Sequence, residues 1–246
     1  MPIGVAPRHA GLVYPTAIPD LIGVKEQRYF DRTGFIRHRS IGYLMRYAAF
    51  VDGADVFDRF GEYVKPDLPD SATLSRYSDE QLYALALYLY SIQPPPNPNK
   101  PDAVSVRGKS VFEREGCAGC HTPPLHTNNA LTPVEGFQVP EEHKKKFNIL
   151  PVVVGTDPGL ALKTRRGTGY YKVPSLKGVW YRGPFEHSGS VATLEDWFDP
   201  NRLRDDYVPT GFKGFEVKTR AVRGHEYGLK LNANDKKALI AFLKTL

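Results

Sequence analysis

The amino-acid sequence predicts an all-α protein with long loops, built as two tandem copies of one helical unit, the first of them incomplete. Two observations carry this prediction. The chain ends on an amphipathic helical pattern, and a stretch early in the chain is matched in register by a later one. The 22 glycines and 21 prolines indicate long ordered loops between few regular elements.

The closing segment carries apolar residues at the spacing of one helix face. Asn234 and Asp235 are predicted to cap this helix, because short polar side chains accept hydrogen bonds from the first free backbone amides. The apolar face consists of Ala238, Leu239, Phe242, Leu243 and Leu246.

The repeat joins the two halves of the chain. Pro19-Asp-Leu-Ile-Gly-Val24 matches Pro174-Ser-Leu-Lys-Gly-Val179 at the Pro, Leu, Gly and Val positions. A helix over 78–92 likewise parallels the closing helix over 232–246. Further pairs are Phe30 with Phe185, Asp31 with Glu186 and Gly34 with Gly189 at the same offset, and Ser40 with Thr193 after a two-residue slip.

A proline-rich linker separates the copies. The stretch Gln93-Pro-Pro-Pro-Asn-Pro-Asn-Lys-Pro-Asp102 holds five prolines and can be neither helix nor inner strand. The sequence therefore predicts a partial domain over 1–98 and a complete one over 99–246.

Charge and hydropathy exclude two classes of protein. The net charge of +6 is too small and too evenly spread to indicate a nucleic-acid-binding protein. The longest apolar run, Leu82–Tyr90, is about half of the ~20 residues that a membrane-spanning helix needs.

The two cysteines form the attachment signature for c-type haem, Cys117-Ala-Gly-Cys120-His121. Two thiols on one short turn can add across the two vinyl groups of haem, and the following His121 then serves as proximal iron ligand. A structural zinc site needs four ligands, and no second cysteine pair exists. A thioredoxin-like redox motif needs a βαβ context that the pattern does not predict.

The first copy has no such motif, since the equivalent position would fall before Met1. The chain is therefore expected to be the C-terminal part of a longer protein whose front holds a second haem motif and a signal peptide. The alternative is a first domain that has lost its haem. Haem c is normally attached outside the bacterial cytoplasm, so a periplasmic or otherwise exported location is expected.

The stretch from Tyr171 to Glu195 resembles the second domain of bacterial di-haem cytochrome c peroxidases and their methylamine-utilisation relatives. Its Lys-Val-Pro-Ser-Leu and Phe-Glu-His-Ser-Gly-Ser segments carry the likeness, together with the haem signature. Gly108 and Phe112, with the Phe-bearing last helix, also resemble the crossing helices of class I cytochromes c. The resemblance implies cytochrome-c-like domains, with Gly108 allowing two helix backbones to approach.

One departure from the family concerns the distal iron ligand. No methionine follows Cys117, and Asn201 stands where the resemblance implies the ligand methionine. Three alternatives stay open: His225 just ahead of the last helix, Tyr207 or His187, or an open five-coordinate iron. Met45 is expected in a core.

The sequence supports two functions of different classes. One is haem-based electron transfer with a redox protein as donor or acceptor. The other, implied by the resemblance, is peroxidase activity, reduction of hydrogen peroxide at an open iron. Peroxidase chemistry needs an acid–base group, and Glu186 and Glu195 are candidates only by their nearness to the motif. Arg165, Arg166 and Lys172 are candidates to pair the haem propionates, and Trp180 is a candidate electron relay.

The haem signature yields the first testable prediction. The protein should carry one haem per chain that survives acid–acetone extraction, and the double change Cys117→Ala, Cys120→Ala should abolish this attachment. The pyridine haemochrome assay measures the stoichiometry. Haem lost to the solvent, or two haems per chain, would contradict the assignment.

Overall fold

The computed structural model describes residues 3–5, 15–17, 20–51, 59–60, 63–64, 77–164, 167–214, 218–221 and 223–246. The chain forms two compact units. The larger unit comprises residues 95–246 together with the described parts of 1–20 and 31–35, and the smaller unit comprises the described parts of 21–30 and 36–94. The predicted division into domains 1–98 and 99–246 stays a prediction.

Helices are the main regular elements of the described residues and few strands accompany them, so the protein is mostly helical rather than strictly all-α. The helices are α1 (Ile41–Val51), α2 (Asp79–Ser91), α3 (Ala103–Arg114), α4 (Glu141–Lys146), α5 (Gly159–Lys163), α6 (Leu194–Trp197) and α7 (Ala233–Lys244). No helix among the described residues combines the length and apolarity that crossing a membrane would require.

Short antiparallel strand pairs supplement the helices. They pair β1 (Ile3–Val5) with β2 (Pro15–Ala17), β3 (Tyr29–Phe30) with β4 (Ile36–Arg37), β5 (Arg59–Phe60) with β6 (Tyr63–Val64), and β7 (Leu131–Pro133) with β8 (Tyr170–Lys172). The sequence analysis predicted none of these strands, because two- or three-residue strands leave no period-2 pattern to detect.

In the smaller unit, α1 and α2 enclose an apolar core. Ser78 caps α2, since its hydroxyl accepts from the Gln81 amide and the Gln81 side chain accepts from the Ser78 amide. Phe30, Leu44 and Ala86 are buried between the helices. Met45 packs against this core, as predicted.

In the larger unit, α3 crosses α7 at Gly108. A Cβ at this position would overlap the Ala238 carbonyl and press on Phe242, so only glycine allows the two backbones to come this close. Phe112 meets Phe242 edge-to-face with ring centroids 5.3 Å apart. The crossing expected from the resemblance is therefore present.

The predicted cap of the last helix is wrong by two residues. Asn232, not Asn234 or Asp235, is the N-cap, and its side chain accepts from the Asp235 amide. Asp235 instead forms ion pairs with two arginines of α3. Its carboxylate accepts from Arg107 at 2.6 Å and from Arg114 at 2.9 Å.

Gly108 provides the second prediction. Gly108→Ala should lower the free energy of unfolding by about 1–3 kcal/mol or more, because the new methyl group meets backbone atoms that cannot rotate away. Urea unfolding followed by circular dichroism measures this. Gly42→Ala in α1 is the matched control, since its Cβ would meet only the Ser40 hydroxyl at 3.7 Å. Equal stabilities of the two variants would contradict the close crossing.

Candidate functional site

The two cysteines and His121 lie on one tight turn directly after α3. Gly116 adopts a φ of 77°, which ends α3 and begins the 3-10 turn Cys117–Gly119. The amides of Cys120 and His121 both donate to the Cys117 carbonyl, at 3.3 and 2.9 Å. The sequence motif therefore folds as the compact turn on which two thioethers and an iron ligand can sit side by side.

Both thiols are protonated at neutral pH. Burial, reinforced by the charge of Glu115, raises the pKa of Cys117 to about 11. Burial also raises the pKa of Cys120. A redox-active Cys-x-x-Cys pair or a zinc site depends on thiolates, so this environment favours neither of those alternatives.

A backbone carbonyl orients the His121 ring. Its Nδ1 lies 3.0 Å from the carbonyl oxygen of His126. Because a carbonyl can only accept, Nδ1 carries the proton and Nε2 keeps its lone pair. Burial, and then the nearness of His225, lowers the pKa of His121 to about 4. A neutral imidazole with Nε2 available is the form that binds iron.

His225 shares this environment. Burial lowers its pKa to about 4, and its Nδ1 is buried without a hydrogen-bond partner. The ring stands edge-on to Trp197 and Tyr227, each at 5.4 Å between centroids. A neutral imidazole whose Nδ1 has no partner, and which is close enough to affect the pKa of His121, fits the distal side of a haem.

A chain of titratable groups begins beside this pocket. Glu186 has a left-handed backbone, with φ 68°, and a side chain only 5% exposed. Its Oε2 lies 3.1 Å from Nδ1 of His187. On the other side of that ring, Nε2 lies 3.7 Å from Oδ2 of Asp157, whose side chain is 42% exposed. The chain therefore connects a buried carboxylate to a solvent-exposed one.

The pKa shifts of Glu186, His187 and Asp157 favour a charged histidine between two ionised carboxylates, an arrangement that can pass a proton along the chain. Burial opposes ionisation of Glu186, but hydrogen bonds from His187 and the charge of Arg202 outweigh it and lower its pKa. Burial disfavours the charged form of His187, yet hydrogen bonds to Asp157 and Glu186 raise its pKa. The pKa of Asp157 falls to about 2, mainly through its bond to His187.

Arg202 organises the same region. It is fully buried and donates to the carbonyls of Trp197 at 2.7 Å and His225 at 2.8 Å. Its guanidinium carbon lies 4.7 Å from the centroid of the Trp197 ring. A Cβ on Gly224 would meet Glu186, Trp197 and Arg202, so these groups close tightly around the backbone that carries His225.

The remaining candidates are dispersed. Glu195 lies at the surface in an ion pair with Lys244 at 2.6 Å, so of the two glutamates only Glu186 is buried beside His187 and Arg202. The Tyr207 hydroxyl lies 3.4 Å from that of Thr210, and Asn201 is exposed. Trp180 packs edge-on against Tyr181 at 4.8 Å.

Among the residues proposed for the haem propionates, Arg165 and Arg166 lie outside the described residues. Lys172 ends β8, and its amide donates to the Arg32 carbonyl at 3.0 Å. Asp157, Arg202 and Arg32 were missed by the sequence analysis. The sequence analysis named only Asp31, the neighbour of Arg32, because Asp31 matches Glu186 in the repeat.

Comparisons with known proteins agree with the motif. The chain is 24% identical over 213 residues to cytochrome-c peroxidase IdrP2 of Denitromonas iodatirespirans, covering 80% of this chain and 49% of that protein. It is 29% identical over 166 residues to cytochrome-c peroxidase IdrP1 of Pseudomonas sp. strain SCT, covering 60% and 41%. The chain thus spans about half the length of these relatives or less.

No protein-family model matches the chain. A solved MauG-like protein associated with microbial copper homeostasis aligns with a TM-score of 0.48 and 16% identity, over 98% of this chain and 76% of that one.

The His187–Asp157 contact yields the third prediction. The raised pKa of His187 contributes stability that is fully present below its ordinary value of 6.5 and is lost as pH rises through the raised value. The lowered pKa of Asp157 contributes stability above 3.8 that is lost as pH falls through about 2. Asp157→Asn should therefore lower the free energy of unfolding by roughly 1 kcal/mol or less between about pH 4 and 6.5, and by less in alkaline buffer.

Urea unfolding of wild type and variant in mildly acidic and alkaline buffers tests this. Asp206→Asn is the control, because it removes a carboxylate paired with exposed Arg204 and involves no histidine. A loss for Asp157→Asn that is the same in both buffers would show that His187 does not hold its proton through Asp157.

Proposed function

We propose that this chain is a member of the family of bacterial di-haem cytochrome c peroxidases, which its similarity to two cytochrome-c peroxidases supports. We also propose that it binds one haem c at Cys117 and Cys120, with His121 as proximal iron ligand, and that it transfers electrons. The observation that carries this proposal is the His121 ring. Its Nδ1–H donates a hydrogen bond to the His126 carbonyl, 3.0 Å away, which leaves Nε2 for iron.

The surrounding residues fit the group. The thiols sit on one turn, and the Cys117 side packs against the apolar cluster that includes Phe112, Leu239 and Phe242. When bound, haem supplies a one-electron ferric–ferrous couple. Burial lowers the pKa of His121 to about 4, so its imidazole stays neutral over the physiological range and would be able to bind the iron.

His225 is the proposed distal ligand. Its buried Nδ1 has no partner, whereas both ring nitrogens of His187 face carboxylates and its raised pKa favours the imidazolium, which has no lone pair. Tyr207 is engaged near Thr210. Ligation by two histidines gives a lower potential than ligation by histidine and methionine.

The second candidate function is reduction of hydrogen peroxide, which the relatives' names suggest. The observation that favours it is the buried Glu186, linked through His187 to the exposed Asp157. Reduction of hydrogen peroxide to two water molecules consumes two protons and two electrons. Such a chain would carry the protons inward from solvent, the redox partner would supply the electrons through the haem, and Arg202 would stabilise negative charge nearby. This function requires that His225 leave, or never occupy, the distal position.

The tandem architecture is also proposed, with residues 1–98 as the partial first cytochrome-c-like domain and residues 99–246 as the second. The backbone supports the repeat. Gly23 and Gly178 have φ values of 72° and 74°, Asp31 and Glu186 have 65° and 68°, and Gly34 and Gly189 have 66° and 72°. Phe30 pairs with Ile36 as Phe185 pairs with Val191.

Attachment of haem c implies an exported, periplasmic protein whose partner is a redox protein that donates or accepts electrons. Both statements are part of the proposal and follow from the cofactor chemistry.

His225→Ala is the fourth prediction and the test of the site. Wild-type ferric protein should be low-spin, of low potential and without a methionine–iron charge-transfer band. The variant should become high-spin, because water or no ligand replaces the imidazole, and added imidazole should restore the low-spin spectrum. Tyr207→Phe is the control and should stay low-spin.

The alternatives give different spectra. A His225→Ala variant that stays low-spin would eliminate His225 as ligand. A wild-type protein that is already high-spin and consumes hydrogen peroxide in the presence of a reductant would establish the peroxidase function instead.

A further inference from the structure

Arg202 is fixed in place by the local structure of its own turn. The residue lies in the 3-10 turn Pro200–Leu203, shortly after α6. The Asp199 side chain caps this turn by accepting from the Asn201 amide at 2.9 Å, and the Arg202 amide donates to the Asp199 carbonyl at 3.2 Å. Because Arg202 is also wholly buried, its side chain is confined both by its backbone and by its surroundings.

The guanidinium of Arg202 joins two separate parts of the distal side. Its Nε donates to the carbonyl of Trp197 at 2.7 Å, and its Nη2 donates to the carbonyl of His225 at 2.8 Å. The same group lies over the Trp197 ring, with 4.7 Å between the guanidinium carbon and the ring centroid. Arg202 therefore contacts both the backbone of His225 and the ring against which the His225 imidazole packs.

His225 depends on these contacts because its ring lacks the usual support. A histidine that binds a metal through one ring nitrogen is normally oriented by a hydrogen bond from the other nitrogen, as the His126 carbonyl orients His121. With Nε2 toward the iron, the supporting nitrogen of His225 would be Nδ1, which is buried and has no partner. The direction of the imidazole must then come from its backbone and from the edge-on packing of Trp197 and Tyr227.

The residue before His225 allows the close approach on which the bridge depends. A Cβ on Gly224 would overlap Oε1 of Glu186 and would lie 3.2 Å from the Trp197 ring. Glycine thus lets this backbone come near enough for the His225 carbonyl to meet Arg202. If the segment moved away, a buried guanidinium would lose one acceptor, which burial makes costly.

We propose that Arg202 is the positioning residue of the distal side. By bonding to the carbonyls of Trp197 and His225, it holds the His225 imidazole at the iron and thereby keeps hydrogen peroxide and other small ligands out of the distal coordination position. The inference rests on the proposed function, because it requires bound haem and His225 as its ligand. A guanidinium donates from two nitrogens of one rigid plane, whereas the ammonium of lysine is a single compact donor, so lysine could not bridge both carbonyls in this geometry.

The test compares haem-loaded Arg202→Lys and Arg202→Ala with wild type. With the bridge broken, His225 should leave the iron in part of the molecules, so the ferric spectrum should show a high-spin fraction that is larger in Arg202→Ala. Exogenous imidazole should bind to both ferric variants about tenfold more tightly than to wild type, because it competes with a less firmly held internal ligand. Millimolar guanidinium chloride should restore the low-spin spectrum of Arg202→Ala, and sodium chloride should not.

Arg182→Lys is the matched control. Arg182 is also largely buried, with a side chain 17% exposed, and it also donates to two backbone carbonyls, those of Lys177 at 2.7 Å and Ser175 at 2.5 Å. These bonds do not involve the segment that carries His225. Arg182→Lys should therefore lose stability in urea yet stay fully low-spin, with the imidazole affinity of wild type.

Each outcome decides one point. Protein without covalent haem refutes the proposed function itself. A His225→Ala variant that stays low-spin refutes the distal ligand and removes the basis of this inference. Haem-loaded Arg202 variants with the spectrum and imidazole affinity of wild type overturn the positioning role. A high-spin fraction of the same size in Arg182→Lys overturns it as well.

A measurement on wild type covers the case in which neither Arg202 variant accumulates with haem. Cyanide binds ferric haem and would displace His225 from the iron. Because coupling between two contacts is reciprocal, displacement of the imidazole should loosen the bridge and accelerate hydrogen exchange of the Arg202 Nε–H, followed by NMR. An exchange rate that cyanide leaves unchanged overturns the proposal.

Discussion

The close crossing of α3 and α7 at Gly108 is the contact on which the candidate site depends. Since α3 runs directly into the cysteine turn, the direction of α3 determines where Cys117 and His121 lie. The Asp235 ion pairs with Arg107 and Arg114 secure the same two helices at one side. Phe112 and Phe242 fill the space next to His126, the residue whose carbonyl orients the His121 ring.

Titratable side chains have different charge states in different regions of the larger unit. Around His121 and His225, burial removes charge, and both imidazoles stay neutral. Around Glu186 and His187, hydrogen bonds overcome burial and maintain a charged pair. Around Arg32 and Lys172, burial is the largest cause that lowers the pKa of both side chains.

The sequence could predict the features that are local or repeated. The haem motif and the residues around Gly108 are recognisable from short stretches of sequence. The pairing of Asp31 with Glu186 is recognisable because the repeat has one constant offset. The cap of α7 was predicted two residues too late because Asn232 and Asn234 are equally good caps by residue type. Asp157 and Arg202 could not be found, since their roles come from contacts with His187 and His225 across loops without periodicity. Likewise, nothing local indicates that residues 31–35 belong to the larger unit.

The raised thiol pKa has a kinetic consequence. With a pKa of about 11, only about one Cys117 side chain in ten thousand is ionised at neutral pH. Disulfide formation and exchange proceed through the thiolate, and burial raises the pKa of both thiols, so the fold slows the reaction of either one with oxidants. The fold thereby lengthens the time for which both sulfur atoms stay reduced, which the proposed attachment of a haem would require.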